Sequence, residues 1–240
     1  MTDQHGTHGT LYGVGVGPGD PELLTLKALR LMRSAAVIAY PAPDTGSSFA
    51  RDIVASHLPE GVREYAIRIP MQTDRFPIQA IYDDAAAALT PVLESGEDVV
   101  VLCEGDPFFY GSFMYLHARL ATDFPCQVVP GVSSLMAGGA VSARPLASLS
   151  ETFAVVPAPL PAERLSELLD QHENLVFLKV GRHLDKVRRV IASAGLTDRA
   201  IYMERIATDR QRCLPLAELT DASAPYFSLI QLNKRGSKPV

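Results

Sequence analysis

Strand-length apolar runs alternate with helix-period segments along most of this chain, and no other feature restricts its fold as strongly. The first pair is typical: an apolar, glycine-rich run at residues 11–16 precedes a segment in which leucine and methionine recur at helical spacing as far as Met32. Further strands are expected at residues 36–40, 65–69, 99–103, 127–129, 153–156 and 175–180, and further helices from Ser48 and at residues 78–93, 112–121, 162–171 and 184–194. This alternation predicts an α/β fold in which helices cover a mostly parallel sheet.

The alternation lapses between residues 143 and 151, where serine, arginine, proline and alanine replace the apolar pattern. We therefore expect two α/β domains, at residues 10–143 and 150–240, with a boundary near residue 145. The last third contains three short segments, at residues 200–205, 212–214 and 226–232, which are close enough to pair as antiparallel strands. The C-terminal sheet is accordingly predicted to be mixed. The polar residues 1–9 are predicted to form a flexible tail rather than a metal site.

Composition excludes several classes of protein. A net charge of -5 gives no general attraction to nucleic acid, and no Lys/Arg run interleaved with aromatic residues compensates for it. The apolar stretches are much shorter than the roughly 20 residues of a bilayer crossing, and no basic segment precedes an apolar one at the start, so we expect a soluble, cytoplasmic protein. The three cysteines are widely spaced and form no C-x-x-C pair, which predicts buried thiols rather than disulfides or a zinc site. No bound metal is expected.

Three loops follow predicted strands and are candidates for ligand binding, since open α/β sheets bind ligands beyond the carboxyl ends of their strands. The first, at residues 13–25, contains four glycines but completes neither the dinucleotide fingerprint nor a Walker motif. Glu22 in the first turn of the next helix would also repel a pyrophosphate. By itself, this segment is either a tight strand-to-helix turn or a loop that binds a ligand without phosphate.

The second and third loops also have structural alternatives. Residues 104–111 place two carboxylates and three aromatic residues at a strand end, although Asp106 before Pro107 is also favourable turn chemistry. Residues 129–139 place Ser133 and Ser134 where one of them would cap a helix. Three such loops at three strand ends of one sheet indicate a single crevice.

In their order and spacing, these loops resemble those of the tetrapyrrole methylase family, the class III S-adenosylmethionine-dependent methyltransferases. The motifs are G-x-G-P-G-D-P-x-L-L-T at residues 15–25, E-G-D-P-x-x-Y-G at 104–111 and P-G-V-S-S at 130–134. The resemblance extends from Leu11 to about Leu232. It implies that S-adenosylmethionine lies in a cleft between the two α/β domains, held largely by backbone groups, and that S-adenosylhomocysteine is released as product.

The resemblance also assigns residues to the cofactor. The positions expected to bind it are Pro18, Gly105, Asp106, Phe109, Ser133, Ser134, Leu178, Lys179, Ile206 and Ala207. Lys179 departs from the family pattern, which usually has an apolar residue or methionine before the glycine. A sulfonium methyl group needs little activation, so the main task of the protein is alignment and exclusion of water. Glu104 or Tyr110 is expected to assist the loss of a proton from the methylated carbon, unless solvent or the macrocycle accepts it.

Within the family, residues 40–41, 48–54 and 177–182 resemble the members that methylate precorrin-2 at C20. Such a substrate carries carboxylates around its rim, so guanidinium groups able to bind them in bidentate fashion are expected. The expected substrate-binding residues are Tyr40, Arg51, Arg144, Arg182 and Arg205. Each arginine also has an ordinary interpretation as a solvated surface charge. A homodimer is expected from the resemblance as well.

Other activities remain open at this point. One alternative is another corrin or uroporphyrinogen C-methyltransferase of the same family, or a cobalt-factor II C20-methyltransferase. A diphthine-synthase-like protein methyltransferase, or a non-catalytic binding module for a tetrapyrrole or a nucleotide, fits the motifs less well. The sequence does not separate a metal-free from a cobalt-containing substrate.

Overall fold

The structure, a computed structural model, describes residues 8–70 and 78–235. Its contacts group into two compact units, Met1–Ser133 and Ser134–Val240. The division therefore falls before the helix Ser134–Val141, whereas the sequence pattern placed the boundary after it, near residue 145. Whether residues 10–143 and 150–240 fold as separate domains stays a prediction.

The first unit is built on a parallel sheet. Its strands are β1 (Leu11–Gly15), β2 (Val37–Pro43), β3 (Arg63–Ile69), β4 (Val99–Cys103) and β5 (Cys126–Val129). Its helices are α1 (Leu26–Ser34), α2 (Phe49–Ile53), α3 (Ile78–Glu94) and α4 (Phe113–Leu120). The strand order is β3-β2-β4-β1-β5, and each pairing within it is parallel. This confirms the parallel sheet predicted from the alternation.

Both faces of this sheet are covered, which explains why its central strands read as continuous apolar runs. Every residue of β4 is buried. Val99 and Val101 face α3 and α4, and Val100 and Leu102 face α1 and α2. The short helices begin where side chains cap them: Thr25 accepts a hydrogen bond from the amide of Ala28, and Ser48 accepts one from Arg51.

Strand β2 is longer than predicted and includes two prolines. Its pairing with β3 continues as far as Pro43, whereas its pairing with β4 ends at Ala39. Pro41 and Pro43 therefore lie where β2 is paired with β3 alone. On the side away from β3 there is no neighbouring strand, so the missing N–H groups of the two prolines cost no hydrogen bond there.

The packed part of the chain begins earlier than expected. Gly9 is buried and donates a backbone hydrogen bond of 2.8 Å to Leu93, and the ring of His8 contacts Phe124 edge-on at 5.3 Å. Two of the nine residues assigned to a flexible tail are thus part of the first unit. Residues 1–7 of that predicted tail lie outside the described residues.

The second unit has a mixed sheet, as predicted. Its strands are β6 (Phe153–Pro157), β7 (Asn174–Leu178), β8 (Ala200–Glu204), β9 (Arg212–Pro215) and β10 (Ser228–Asn233). Its helices are α5 (Ser134–Val141), α6 (Ala162–Gln171) and α7 (Leu184–Ser193). The strand order is β6-β7-β10-β8-β9, and β8 pairs antiparallel with both β9 and β10. Since β10 is antiparallel to β7 as well, β7 and β8 point in the same direction.

Among residues 8–70 and 78–235, no helix combines the length and the apolar composition needed to cross a membrane.

Cys103 is buried as expected, but Cys126 is partly exposed and Cys213 is exposed. The expectation of three buried thiols is therefore wrong for Cys213, which lies on β9 at the edge of the second sheet.

Candidate functional site

The three predicted loops of the first unit begin at the carboxyl ends of adjacent strands, β4, β1 and β5. Their backbones touch at three glycines. A Cβ atom added to Gly15 would lie 2.5 Å from the carbonyl oxygen of Gly105 and 2.6 Å from Cα of Gly131. A Cβ atom on Gly131 would lie only 2.0 Å from the same oxygen. Glycine is therefore required at positions 15 and 131 for the three loops to meet.

The first and second loops are also joined by hydrogen bonds. The amide of Gly105 donates to the carbonyl of Gly17 at 2.8 Å, and the amide of Gly17 donates to the carbonyl of Gly105 at 3.4 Å. Both residues have left-handed backbone, with φ of 81° and 64° for Gly17 and Gly105, which glycine adopts without a steric penalty. Pro18, a predicted cofactor residue, is buried directly after this bridge.

Asp106 joins the second loop to the third. One carboxylate oxygen accepts the amide of Phe108 at 2.9 Å, which is the turn contact that sequence alone explains. The other oxygen accepts the amide of Gly131 at 3.1 Å, across 25 residues of sequence. Asp106 thus makes its local turn and also fixes the distance between two loops.

The aromatic residues that follow Asp106 lie at the surface. Phe108, Phe109 and Tyr110 are 49%, 37% and 47% exposed. Tyr110 has a φ of 56°, which is uncommon for a residue other than glycine, and such strained residues cluster at functional sites. The next residue, Gly111, has no room for a side chain, because a Cβ atom would lie 2.4 Å from the carbonyl oxygen of Pro107.

Glu104 is largely buried at the end of β4. Burial raises the pKa of its carboxyl group above the ordinary glutamate value, and hydrogen bonds from its own amide and from that of Ala50 reduce this rise. Ala50 belongs to the first turn of α2, so the carboxyl group of Glu104 lies close to the start of that helix. A structural role at this helix is therefore the alternative to the predicted role of Glu104 in proton transfer.

Replacement of Glu104 with glutamine separates these two roles. If Glu104 accepts the proton in the reaction, kcat should fall by about 10²- to 10⁴-fold while the affinity for S-adenosylhomocysteine, measured by calorimetry, stays unchanged. If it acts only as a contact near the start of α2, kcat should stay within about twofold of the wild-type value, because glutamine keeps the shape of the side chain and an acceptor oxygen. Glu60→Gln, at an exposed position of the same unit, is the control for activity.

The same variant has a signature in stability. In the wild-type protein, the pKa of Glu104 is higher in the folded state than in the unfolded state, for which 4.5 is the reference value. Glu104 therefore contributes stability below the unfolded pKa and loses that contribution as the pH rises through the folded pKa. Glutamine does not titrate. The melting temperature of Glu104→Gln relative to wild type should therefore increase from about pH 4 to about pH 8. A constant difference across this range would contradict the burial of the charge.

In the second unit, the predicted cofactor residues lie at one edge of the sheet, at the carboxyl ends of β7 and β8. Lys179, Arg205 and Ala207 all have left-handed backbone, with φ of 57°, 48° and 61°. Hydrogen bonds donated by backbone amides join the loops at this edge: the amide of Arg205 donates to the carbonyl of Phe227 at 2.9 Å, and that of Gly181 donates to Oγ of Ser228 at 3.2 Å. Three strained residues at one sheet edge are typical of a functional site.

The remaining predicted cofactor residues lie nearby in the chain. Leu178 ends β7, and its carbonyl accepts the amide of Ala158 at 2.8 Å. Ile206 is buried, and its Cδ1 atom approaches the position where Gly138 of α5 would carry a Cβ, at 3.3 Å. Ser134 begins α5 in the second unit, whereas Ser133 is the last residue of the first. The assignment of these residues to the cofactor stays a prediction.

The predicted arginines of the second unit do not all come together. Arg182 and Arg205 follow β7 and β8, at the edge described above. Arg144 lies at the other end of the strands, near the amino end of β8. Its Nη1 donates to the carbonyl of Arg199 at 3.4 Å, just before β8 begins. There it lines an open cavity of about 510 Å³ with residues that include Met136 and Leu146.

The two predicted substrate residues of the first unit share a partner that the sequence did not reveal. Arg51 binds the carboxylate of Glu64 through Nε at 3.1 Å and Nη2 at 3.0 Å, and the hydroxyl of Tyr40 donates to the same carboxylate at 2.7 Å. The ion pair with Arg51 lowers the pKa of Glu64. Glu64 is in register with Ile38, near the amino end of β2. Arg51 therefore already has a bidentate carboxylate partner within its own unit.

The fold and the site define a class of protein: two α/β units with glycine-rich loops at the carboxyl edge of a parallel sheet. The family model for tetrapyrrole (corrin/porphyrin) methylases matches residues 10–220. The chain belongs to this family. The chain is 27% identical to a Thermus thermophilus uroporphyrin-III C-methyl transferase whose structure was solved in complex with S-adenosylhomocysteine. The two structures match with a TM-score of 0.69, covering 94% of this chain and 98% of the other. A cobalt precorrin-4 methyltransferase structure shares the fold at a TM-score of 0.74 and 22% identity, covering 93% and 94%.

Relatives known by sequence are more similar. The chain is 40% identical over 232 residues to the cobalamin biosynthesis protein CobIJ of Mycobacterium tuberculosis, which covers 93% of this chain but only 46% of that protein. The chain thus spans about half the length of that relative. It is 39% identical to a precorrin-2 C(20)-methyltransferase from Sinorhizobium, covering 92% and 94% of the two chains. It is 32% identical to the cobalt-precorrin-2 C(20)-methyltransferase of Salmonella typhimurium, covering 95% and 98%.

The first unit fits the cofactor of this family. The contacts at Gly15, Gly105 and Gly131 leave only backbone at the meeting point of the loops. The carboxylate of Asp106 lies beside it, since it accepts the amide of Gly131 at 3.1 Å. Such surroundings disfavour a phosphate and suit S-adenosylmethionine, whose sulfonium is cationic and which carries no phosphate.

Proposed function

We propose that this chain transfers a methyl group from S-adenosylmethionine to C20 of precorrin-2, giving precorrin-3A in cobalamin biosynthesis. The observation that carries the proposal is the contact among Gly15, Gly105 and Gly131, which joins three loops into one backbone surface. A non-catalytic module has no evident need for this arrangement together with Asp106 bridging two of the loops. The identity of 39% with the Sinorhizobium enzyme, over nearly the whole of both chains, supports the choice of substrate.

A cobalt-containing substrate is the second candidate. The Salmonella relative named for it is 32% identical over 95% of this chain. The higher identity to the Sinorhizobium enzyme favours the metal-free compound. Arginine side chains at the rim of a macrocycle serve both substrates equally, so a direct comparison of the two in one assay is needed.

The residues have distinct tasks in the proposed reaction. When bound, S-adenosylmethionine supplies an electrophilic methyl group. The loops of the first unit hold and orient the cofactor through backbone groups fixed by Asp106. In favourable cases such positioning lowers the activation barrier by about 7–11 kcal/mol. Glu104 accepts the proton that leaves the methylated carbon, for which its raised pKa suits it. Tyr110, which lies six residues further along the chain on strained backbone, is the second candidate for this step.

The proposal is tested by calorimetric titration of the purified protein with S-adenosylhomocysteine, followed by mass spectrometry of precorrin-2 incubated with protein and S-adenosylmethionine. Binding and the gain of one methyl group, located at C20 by NMR, are expected. Binding without methylation of precorrin-2 would move the proposal to another corrin substrate. The absence of binding would contradict the methyltransferase function.

We further expect the four arginines predicted to bind the substrate to differ in their effect on the KM for precorrin-2. Arg182→Ala combined with Arg205→Ala should raise the KM for precorrin-2 by about 10- to 100-fold, since a charged hydrogen bond contributes about 1.5–3 kcal/mol. The combination of Arg51→Ala and Arg144→Ala is the matched control: Arg51 is already bound to Glu64, and Arg144 lies at the opposite sheet edge. An equal rise in KM for both double variants would contradict the grouping of Arg182 with Arg205.

Location and assembly belong to the same proposal. We expect a cytoplasmic homodimer that has no nucleic-acid or membrane partner, as the family resemblance and the net charge of -5 indicate. Light scattering of the purified protein is the measurement, and a monomer at micromolar concentration would contradict the dimer.

A further inference from the structure

Glu204 is a buried carboxylate outside the machinery described so far. It ends β8, and the residue is only 4% exposed. A buried charge is unfavourable unless it is paired, so its partners indicate why it is retained. Three side chains approach its carboxylate: Tyr202, Arg205 and Arg212.

The two oxygens of this carboxylate have different partners. The hydroxyl of Tyr202 donates a short hydrogen bond to Oε2. Both guanidinium groups approach the other oxygen, Oε1, with Arg212 at 3.5 Å and Arg205 at 3.7 Å. Tyr202 thereby fixes the rotation of the carboxylate and leaves Oε1 for the arginines. Burial, and then the bond to Glu204, raise the pKa of Tyr202, so the hydroxyl stays protonated as a donor.

The two arginines are held to different degrees. Arg212 has a second anchor, because its Nη2 pairs with Asp221 at 3.0 Å. Arg205 has a fixed backbone: its amide donates to Phe227, and its carbonyl accepts the hydroxyl of Thr208 at 2.7 Å. Its guanidinium forms an ion pair with Glu204 at 3.7 Å, and its side chain is 43% exposed.

The strained backbone of Arg205 supports a role for its side chain. Its φ of 48° costs about 1–3 kcal/mol for a residue other than glycine. An ordinary surface arginine needs neither this conformation nor a buried carboxylate beside it. No pattern in the sequence predicts this arrangement, because Glu204 has the appearance of a polar residue at the end of a strand.

We propose that Glu204, oriented by Tyr202, is a positioning residue that directs the Arg205 guanidinium toward a carboxylate of the substrate. The inference rests on the proposed function, in which the substrate is a tetrapyrrole with carboxylates at its rim. Glu204 itself does not touch the substrate. A carboxylate that holds an arginine in one orientation lowers the entropy lost when the arginine binds its ligand.

The test is a double-mutant cycle on Glu204 and Arg205. Glu204→Gln keeps an acceptor for Tyr202 but removes the charge that holds the arginines. We expect it to raise the KM for precorrin-2 about five- to tenfold at unchanged kcat. In the Arg205→Ala background, the same change should alter KM by less than about twofold, since residues that act through one another are not additive. An equal rise in both backgrounds would overturn the proposal.

Two further variants separate positioning from stability. Arg212→Ala removes the other partner of Glu204 and is expected to lower the melting temperature while KM stays within about twofold. Tyr202→Phe keeps the charge of Glu204 but removes the hydrogen bond that fixes the rotation of its carboxylate. The KM of this variant should therefore lie between those of wild type and Glu204→Gln. If Glu204→Gln unfolds the protein, Tyr202→Phe carries the test, and an unchanged KM in that folded variant would overturn the proposal.

Failure of this inference is distinguishable from failure of the proposed function. Binding of uroporphyrin III, a stable tetrapyrrole with carboxylates at its rim, is measured by fluorescence for every variant alongside the assay. If the wild-type protein neither methylates precorrin-2 nor binds the probe, the proposed function fails, and this inference fails with it. If the wild type does both and Glu204→Gln does so with unchanged constants, only the role of Glu204 is refuted.

Discussion

Gly131→Ala is expected to weaken the binding of S-adenosylhomocysteine by at least about a hundredfold, which corresponds to about 2.8 kcal/mol. The added Cβ atom would lie 2.0 Å from the carbonyl oxygen of Gly105 and 2.7 Å from Cα of Gly15. These neighbours are backbone atoms on two other loops, so no flexible side chain is able to move aside. The third loop must therefore move away from the other two, and the proposed cofactor surface is lost. Calorimetric titration measures the effect directly.

The control for this variant is Gly61→Ala. Gly61 has a φ of 73°, and a Cβ atom there would meet nothing within 4 Å. Alanine at such a position costs about 1 kcal/mol of stability from backbone strain alone. We expect a lower melting temperature with unchanged affinity for S-adenosylhomocysteine. Normal affinity in a folded Gly131→Ala protein would show that the contact of the three loops does not form the cofactor site.

Asp106→Ala is expected to have the second largest effect on cofactor affinity, a loss of affinity for S-adenosylhomocysteine on the order of fiftyfold. The substitution removes two hydrogen bonds from backbone amides to a carboxylate, at 2.9 Å to Phe108 and 3.1 Å to Gly131. Hydrogen bonds to charged groups contribute about 1.5–3 kcal/mol each, and solvent exposure reduces this. Asp106→Asn keeps one amide acceptor oxygen instead of two, so its affinity should lie between those of Asp106→Ala and wild type.

Asp98→Ala is the matched control for Asp106. Asp98 also accepts a backbone amide, that of Thr10 at 2.8 Å, but it lies at the amino end of β4. Its loss should lower the melting temperature without changing the affinity for S-adenosylhomocysteine. If Asp98→Ala weakens binding as much as Asp106→Ala does, the effect is one of general stability and the bridge between the loops has no specific role.

Most secondary structure was predictable because it depends on local pattern. The strand Val99–Cys103 and the helix Ala162–Gln171 were located with their correct bounds, since one is a continuous apolar run and the other has a clear helical period. The last strand was predicted to begin at residue 226, but it begins at Ser228. Tyr226 and Phe227 have the composition of a strand, and only the register with β8 shows that pairing starts after them.

The domain boundary was harder to predict for a related reason. The break in the alternation at residues 143–151 is real, yet α5 before it packs with the second unit. Helix α5 is apolar over most of its length and has no distinct polar face, so its sequence does not predict which sheet it covers. Its partner is decided by contacts far away in the chain, such as those of Gly138 with Met203 and Ile206.

The sequence by itself determined the α/β class, the order of the elements and the three glycine-rich loops, because period and turn chemistry are local properties of a chain. Only the tertiary structure decided which groups meet: Asp106 with Gly131, Arg51 with Glu64, and Glu204 with Arg205. It also placed Arg144 and Arg205 at opposite edges of one sheet, although both read as candidates for the same task. Such pairings depend on strand order and register, which long-range packing sets and no local pattern encodes.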